Sequence, residues 1–547
     1  MSASRDNQNT DQPLLEGYFL INKKGPWVLM TLSKQKITYK ADFVNSKSTI
    51  KMKRLIAATP CDCSVATPVN YCYYCRKLEF RSDFMSPESY PSYPRNMRLH
   101  RIADYGRHMY RVKSEIFQPA NITTLKQWLD TTQQVISEYK RPKRLLVFIN
   151  PYGGKKKGVK IYEKKVLPLF HLARIQVTSV VTQRPNHAKE MIEDIDTSKF
   201  DGIVCVGGDG MFSEVLNSVL LKTQKDKGID SNDVYNKLKI PKIPLGIIPA
   251  GSTNAAVNCI TGSSDPITAT LFIIQGKNTG VDVCGVYSAG RLLRYAVTFL
   301  SYGYFGDVIR DSEKLRWMGP KRYDFSGFKN ILRRKLYEGE LQLLVDVPTD
   351  STSWRHERCL ADCKTCSETR SDLKQPEDKQ NSEKKIRWMS VRGRFIAVNA
   401  AVMSCACCMS TEGISPSQHL GNGYCDVITV SSCSRLNYLR YLLRTSYHHS
   451  DPFDLSFVKV YRVREFKFNP MISDDKTPAI GCKGIQDNWQ ELNTSIWDCD
   501  GEIINEPSIT AKIHCQLINV FGRGYIDRKK KSPSSTWSQC FPFFKKS

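Results

Sequence analysis

The chain has 547 residues, with 80 Lys and Arg against 54 Asp and Glu, a formal net charge of +26, and 41% hydrophobic residues. That length leaves room for about three domains. No apolar run reaches the ~18 residues a membrane-spanning helix needs, and the opening Met1-Ser2-Ala3-Ser4-Arg5-Asp6 lacks the apolar core of a secretory signal. The 19 cysteines, an odd number without such a signal, are expected to be reduced thiols in a cytoplasmic setting. The charge suits a polyanionic partner or an anionic membrane surface. No zinc-finger spacing or RNA-recognition signature accompanies it, so nucleic acid is not expected as a partner.

Residues 1–16 read as a polar N-terminal segment. From 17 to 140 a small β-rich domain is expected, with strands at Gly17–Ile21, Lys36–Lys40 and Lys77–Phe80, closed by a helix over Thr124–Ile136. Leu125, Trp128, Leu129, Thr132 and Ile136 recur at helical spacing and give that helix one apolar face. The run Glu138–Lys143 is the linker.

From 141 to 278, strands and amphipathic helices alternate as in an α/β layer. Three apolar strands each end at a glycine-bearing turn. Leu145–Ile149 runs into Asn150-Pro151-Tyr152-Gly153-Gly154 and then Lys155, Lys156 and Lys157. Ile203–Val206 runs into Gly207-Gly208-Asp209-Gly210 and a helical pattern. Leu245–Pro249 runs into Ala250-Gly251-Ser252-Thr253-Asn254, with Ser252 or Thr253 as the expected helix cap. Glycines let a backbone approach a phosphate closely, and Asp209 is the side chain in its turn able to do proton chemistry. A Gly-Asp-Gly turn is also ordinary turn chemistry, so one junction alone is equally consistent with a buried strand ended by a turn. Three junctions within one domain length describe a parallel sheet with an anion cradle at its carboxyl edge. The P-loop pattern is absent, because Val159 follows Gly158. The dinucleotide fingerprint fails at Ser213, and the protein-kinase motifs are missing.

From 279 to 525 the texture changes to short strands, among them Leu341–Val345, Arg394–Val398 and Asp426–Val430, which suggests a β-sandwich. A polar insertion, 349–385, carries His356, Cys359, Cys363 and Cys366. These four are a candidate zinc set, with Cys405, Cys407 or Cys408 as alternative donors and free, redox-sensitive thiols as the other reading. Leu436–Arg444 is a basic amphipathic segment that suits calmodulin, a membrane surface or a core-facing helix. The tail 526–547 is basic and aromatic, with Trp537, Phe541, Phe543 and Phe544, a composition that suits an anionic interface.

The three junctions resemble the diacylglycerol-kinase catalytic family. Tyr302–Asp307, Asp311–Trp317, Arg322–Gly327, the Cys359/Cys363/Cys366 spacing, Met403–Cys407 and Trp497–Glu502 are similar to its ceramide-kinase branch, over roughly Arg141 to Gly522. The resemblance implies a multidomain α+β protein. A pleckstrin-homology-like β domain precedes an α/β nucleotide-binding domain and a β-sandwich lipid-binding domain, with the site between the last two. It implies transfer of the γ-phosphoryl group of ATP to the primary hydroxyl of ceramide, giving ceramide 1-phosphate. A long-chain-base (sphingosine) kinase and a catalytically inactive lipid-binding relative are the rival readings. It places ATP at Asn150, Pro151, Tyr152, Gly153, Gly154, Thr182, Glu214, Gly251, Ser252, Arg316, Arg322, Asp500, Gly501 and Glu502. The lipid falls at Gly207, Gly208, Asp209, Gly210 and Asp307, and Asp209 receives or orients the hydroxyl proton. Mg2+ is the expected ion, with Ca2+ as an alternative. Tyr304, Phe305, Trp317, Phe325 and Phe328 are candidates to line the acyl-chain site. The expected setting is the cytoplasmic side of Golgi or plasma membranes, with anionic lipids as partners.

Overall fold

The computed structural model describes residues 12–22, 25–41, 47–61, 94–106, 108–319, 321–346, 353–359, 361–373, 386–447, 451–471 and 494–522. The expected strand at 77–80 and the tail from 526 lie outside the described residues. Among the described residues, no helix is long and apolar enough to cross a membrane.

Among the described residues, the first unit is an antiparallel sheet of seven strands, in the spatial order Lys47–Lys51, Lys36–Ala41, Trp27–Ser33, Pro13–Ile21, Tyr110–Pro119, Asn96–Asp104 and Leu55–Cys61. Its first strand starts at Pro13, inside the expected polar N-terminal segment, because Leu15 and Glu16 already pair with Leu32 and Thr31. The closing helix spans Ile122–Glu138, and the Asn121 side chain accepts the Thr124 amide at its start. Leu125, Trp128, Thr132, Val135 and Ile136 are buried, and Trp128 meets Phe19 edge-on at 4.9 Å. Leu129 is only half-buried: it lies at the border of the apolar stripe.

In the next unit four parallel strands lie in the order Gln176–Val181, Arg144–Ile149, Gly202–Gly207, Leu245–Pro249. Alternate residues of one strand feed two cores. Leu146, Phe148, Ile203 and Cys205 pack with the helix Asp209–Asp226. Leu145, Val147, Val204 and Val206 pack with Phe170 and with Leu271–Ile274 of the helix Pro266–Gln275. Burial on both faces is why these strands read as unbroken apolar runs.

The strand Ile509–Phe521 joins this sheet to the rest. It pairs in parallel with Leu245–Pro249 through Val520, and antiparallel with Asn278–Ser288 and Glu465–Pro470. The sheet is therefore continuous across the junction at 278/279. The antiparallel strands Tyr337–Asp346, Ile386–Ala401 and Cys425–Ser431 contain the three short segments expected from the sequence. With Phe299–Gly303, Val458–Val463 and Glu465–Pro470 they enclose an aromatic core of Tyr302, Tyr337, Phe466, Phe468 and Trp497. Within the insertion 349–385, the structure forms the helix Lys364–Asp372, beyond the irregular loop expected there.

The N-terminal sheet docks on the helix Pro266–Gln275. Ile56, Ile102 and Tyr110 join the core around Phe272. Arg111 donates two hydrogen bonds to Asp265 (2.6 and 3.2 Å), and Asp265 also accepts the Thr268 amide as that helix's N-cap. Because Asp265 has both roles, Asp265→Ala should destabilise the protein by about 1 kcal/mol more than Arg111→Ala, the difference being the lost cap. Chemical denaturation of the two variants measures this, and equal losses would mean the cap contributes nothing.

Candidate active site

The three strand-to-turn junctions meet at the carboxyl edge of the parallel sheet. In the first, Asn150 Oδ1 accepts the amides of Tyr152 (2.8 Å) and Gly153 (3.0 Å), which bends the chain over. Gly154 follows with φ +56°, and a Cβ there would lie 2.8 Å from Ala250 O and 2.9 Å from Gly251 C. A Cβ on Gly251 would lie 2.4 Å from Gly208 Cα. The three turns thus touch backbone to backbone at Gly154, Gly208 and Gly251, where any side chain would push them apart. Lys155, Lys156 and Lys157 stand exposed beside this contact, as do Tyr152 and Ser252. Pro151 is half-buried in the same turn. Gly158 is needed for packing instead, since a Cβ there would lie 2.2 Å from Asn150 O.

Asp209 sits at the first position of the helix Asp209–Asp226, followed by Gly210. Its two carboxylate oxygens accept the amides of Ala256 (2.9 Å) and Ala255 (3.0 Å), the first residues of the helix Ala255–Thr261. This corrects the expected cap. Ser252 and Thr253 lie before the helix with exposed side chains, Asn254 is the N-cap residue without a side-chain cap bond, and Asp209 caps the helix from a different turn. Burial raises the Asp209 pKa, the two amides oppose the rise, and the charge of Asp500 adds to it.

Asp500 comes from the far end of the chain. The hairpin Trp497–Cys499 and Glu502–Ile504 pairs with Phe299–Gly303 and returns residues 500–502 to the site. Asp500 accepts the amides of Val297 (2.9 Å), Thr298 (2.9 Å) and Phe299 (3.0 Å), and the Thr298 hydroxyl. Gly501 donates its amide to Asp498 at 2.8 Å, and Glu502 is exposed. Asp498 is pushed up to about 7, by burial first and then by the charges of Asp500 and Glu502, with Arg294 opposing. Arg294 donates to Ser213 Oγ at 3.1 Å and so links this acidic group to the helix that begins at Asp209. Sequence reasoning missed Arg294 and Asp498. The available signal for Arg294 was an arginine inside the otherwise apolar run Leu292-Leu293-Arg294-Tyr295-Ala296.

Thr182 is buried beside Asn150, its amide and hydroxyl both donating to Ile149 O. Glu214 accepts the Ala188 amide at 3.0 Å through Oε1 and so caps the helix His187–Asp194. Gly207 packs on Met211, to which a Cβ would approach within 2.7 Å. Asp307 is buried under the helix Tyr304–Glu313, where Arg310 (2.7 Å), Ser495 (2.9 Å) and the Tyr337 hydroxyl all donate to it. Arg316 opens the short turn Arg316–Met318. Arg322, on the helix Lys321–Arg333, pairs with Glu313 at 3.3 Å and lies over the Tyr323 ring at 4.7 Å.

Among the aromatic candidates, Tyr304 is buried, packed against Tyr438, and Phe305 is half-buried. Trp317 (81% exposed), Phe325 and Phe328 (63% exposed) face outward and present an apolar surface. The Cys405 thiol donates to Thr298 O (3.1 Å), and Ser404 Oγ lies 3.3 Å from Cys259 Sγ on the helix that Asp209 caps.

Gly251→Ala should cost on the order of a hundredfold in kcat/KM for the nucleotide, because the turns must separate. Gly210→Ala, which meets nothing within 4 Å, should keep wild-type stability. Steady-state kinetics and thermal melts of both variants check the pair. A pH dependence is expected from Asp498, whose carboxyl is held protonated well above its ordinary value of 3.8. Its contribution to stability is complete below about pH 4 and is lost as the pH rises through about 7. Asp498→Asn, measured without divalent cations, should match wild type near about pH 4 and exceed it near about pH 8 by up to roughly 4 kcal/mol. Parallel pH–stability curves would contradict this.

Residues 144–286 match the diacylglycerol kinase catalytic domain family, and residues 299–540 the ceramide kinase C-terminal domain family. The chain is 41% identical over 442 residues to ceramide kinase of Mus musculus, covering 78% of this chain and 83% of that protein. It is 39% identical over 458 residues to ceramide kinase of Homo sapiens, covering 81% and 85%. Sphingosine kinase 1 of Arabidopsis thaliana is 31% identical over 410 residues, covering 73% and 76%. The glycine turns around Asp209 and the late hairpin that meets them fall within those two matched segments, and the chain belongs to the ceramide kinase branch of the diacylglycerol kinase catalytic family.

Proposed function

We propose that the protein transfers the γ-phosphoryl group of ATP to the primary hydroxyl of ceramide, giving ceramide 1-phosphate. The observation that carries this reading is the backbone contact of Gly154, Gly208 and Gly251 with the Asp209 carboxylate beside it. A polyphosphate suits this edge: the close-packed turns leave backbone free of side chains there, Gly210 has nothing within 4 Å of where a Cβ would stand, and the exposed Lys155–Lys157 supply positive charge. Phosphoryl transfer needs positioning and neutralisation of charge more than covalent help from the protein. Backbone amides of the glycine turns and the neighbouring lysines hold the phosphate oxygens. Asp209, fixed in direction by two amides and raised in pKa by burial, accepts or orients the hydroxyl proton. The same two amides hold the carboxylate in one orientation.

A divalent cation suits the acidic group. Asp500 is saturated by backbone amides, whereas Glu502 is exposed and Asp498 accepts the Gly501 amide. Asp498 and Glu502 would hold Mg2+, which neutralises phosphate charge when bound. Ca2+, with its looser geometry, is the alternative ion.

The lipid approaches from the helical hairpin 304–333. Trp317, Phe325, Phe328 and Leu332 are exposed there, next to Leu436, Leu439 and Leu443 of the helix Arg435–Tyr447. An apolar surface rimmed by Arg and Lys suits the headgroup boundary of an anionic bilayer. Asp307, already tied to Arg310, Tyr337 and Ser495, sets the start of that hairpin and meets the head group from beneath it. Calmodulin is the weaker reading for the helix Arg435–Tyr447. Tyr438 and Tyr441 are buried in the core beside Phe453 and Val460, so wrapping the helix would require extracting it. The N-terminal sheet and its closing helix form a pleckstrin-homology-like domain in this reading. A cavity of about 490 Å³ between it and the kinase half, lined by Lys51, Lys53, Arg54, Arg101, Arg141 and Lys277 with Asp362 paired to Lys277, offers a site for anionic head groups.

The test is an assay of the purified protein with labelled ATP and mixed micelles of ceramide, sphingosine or diacylglycerol. Ceramide should be phosphorylated fastest, and fastest sphingosine turnover would transfer the protein to the long-chain-base kinases. Asp209→Asn should lose 10²-fold or more in kcat with ATP affinity largely kept. It should also cost about 1 kcal/mol of stability, since its amide can accept only one of the two N–H groups. Near wild-type turnover in that variant would remove Asp209 from the chemistry, and no turnover of any lipid would favour an inactive binding protein.

A further inference from the structure

The cysteines of the insertion find a fourth partner, but not the expected one. His356, in the short turn Ser353–His356, is exposed and is not part of the cluster. His419, buried on the loop between the strands Ile386–Ala401 and Cys425–Ser431, points its Nδ1 at the thiols instead. The Cys405 thiol is turned toward Thr298 O, and Cys405, Cys407 and Cys408 are not part of the cluster. The correction has a simple cause: His419 is 56 positions from Cys363, and only the docking of the insertion brings it near.

The separations are those of a ligand shell. The four donor atoms lie within 4.8 Å of one another. Cys359 Sγ is 3.7 Å from Cys366 Sγ, and His419 Nδ1 is 3.2 Å from Cys363 Sγ and 4.0 Å from Cys366 Sγ. Tetrahedral zinc, with Zn–S ~2.3 Å and Zn–N ~2.0 Å, requires ~3.8 Å between sulfurs and ~3.5 Å between sulfur and nitrogen. The surroundings complete the arrangement. His419 Nε2 is buried, lacks a hydrogen bond, and stands 3.7 Å from the Glu357 carboxylate, which is where a metal-bound imidazole places its second nitrogen. The Leu420 amide donates to Cys359 Sγ at 3.4 Å, as amides do to metal-bound thiolate. Gln516 bonds both Cys366 O and Gly421 O at 2.8 Å, so the two ligand-bearing segments are held together from the strand Ile509–Phe521.

We propose that Cys359, Cys363, Cys366 and His419 form a closed structural zinc site that fastens the insertion to the loop carrying His419. Three thiols lose their protons as the ion binds, and four protein ligands leave no position for a substrate or a reactive water. The soft donor set selects zinc over the hard Mg2+ used in phosphoryl transfer. The same loop carries Ser404 at its start, against Cys259 on the helix that Asp209 caps, so the ion braces the back of the nucleotide cradle without touching it.

The test is metal analysis of the full-length protein purified under reducing conditions without added zinc. About one zinc per chain is expected in wild type and in His356→Ala, and less than a tenth of that in Cys363→Ser and His419→Ala. Should those two variants fail to fold, cobalt substitution of wild type replaces them, and visible bands of tetrahedral cobalt thiolate are expected. Chelation should lower the melting temperature, and zinc but not magnesium should restore it. Substoichiometric zinc with no cobalt band, zinc retained in His419→Ala, or zinc lost in His356→Ala would each overturn the proposal.

Discussion

One half-buried carboxylate ties the site together. Asp209 gives both oxygens to the first two amides of the helix Ala255–Thr261, so the second glycine turn and the third are joined by charge-assisted hydrogen bonds as well as by the contact of Gly208 with Gly251. The arrangement has a cost, because a carboxylate removed from water is destabilised unless its charge is met by donors. Here the donors are backbone amides. They leave part of the burial penalty uncancelled, and the raised pKa of Asp209 records it. The contacts that hold the turns in place thus oppose the rise in the Asp209 pKa, and burial with the charge of Asp500 outweighs them.

The second constraint is continuity of the sheet. The strand Ile509–Phe521 binds the parallel strands at one end and antiparallel strands along the rest, and its Leu517, Ile518 and Val520 share a core with Ile203, Leu245 and Val257. The late hairpin that delivers Asp498, Asp500 and Glu502 is attached to the same sheet through Phe299–Gly303. Residues nearly 300 positions from Asp209 are therefore held to it by sheet geometry rather than by a flexible hinge. The helix Pro266–Gln275 plays a matching part on the other face, where Asp265 and Phe272 receive the N-terminal sheet.

Much of this was legible in the sequence, for physical reasons that also mark where legibility ends. The strands around Val147, Val204 and Ile247 are buried on both faces, and continuous apolar runs ending in glycine turns announce such strands. The special positions 154, 208 and 251 were visible because glycine is costly wherever it is not needed. Partners distant in sequence were not visible. The cap of the helix Ala255–Thr261 was sought in its own neighbours, Ser252 and Thr253, and comes from Asp209. Arg294 reaches Ser213 from another strand, and His419 reaches Cys363 through a docked insertion. Exposure was hidden too. The aromatic spacing of Trp317, Phe325 and Phe328 identifies an apolar face but not what covers it.

The central claim is that the three glycine turns act as one cradle, tied through Asp209, for the phosphates of the nucleotide. Hydrogen–deuterium exchange of the amides in 152–156, 207–210 and 250–256, with and without ATP and magnesium, tests it most directly. The account predicts that nucleotide slows exchange in all three segments together, with the same concentration dependence. Protection confined to one turn, or appearing only outside these segments, would contradict it.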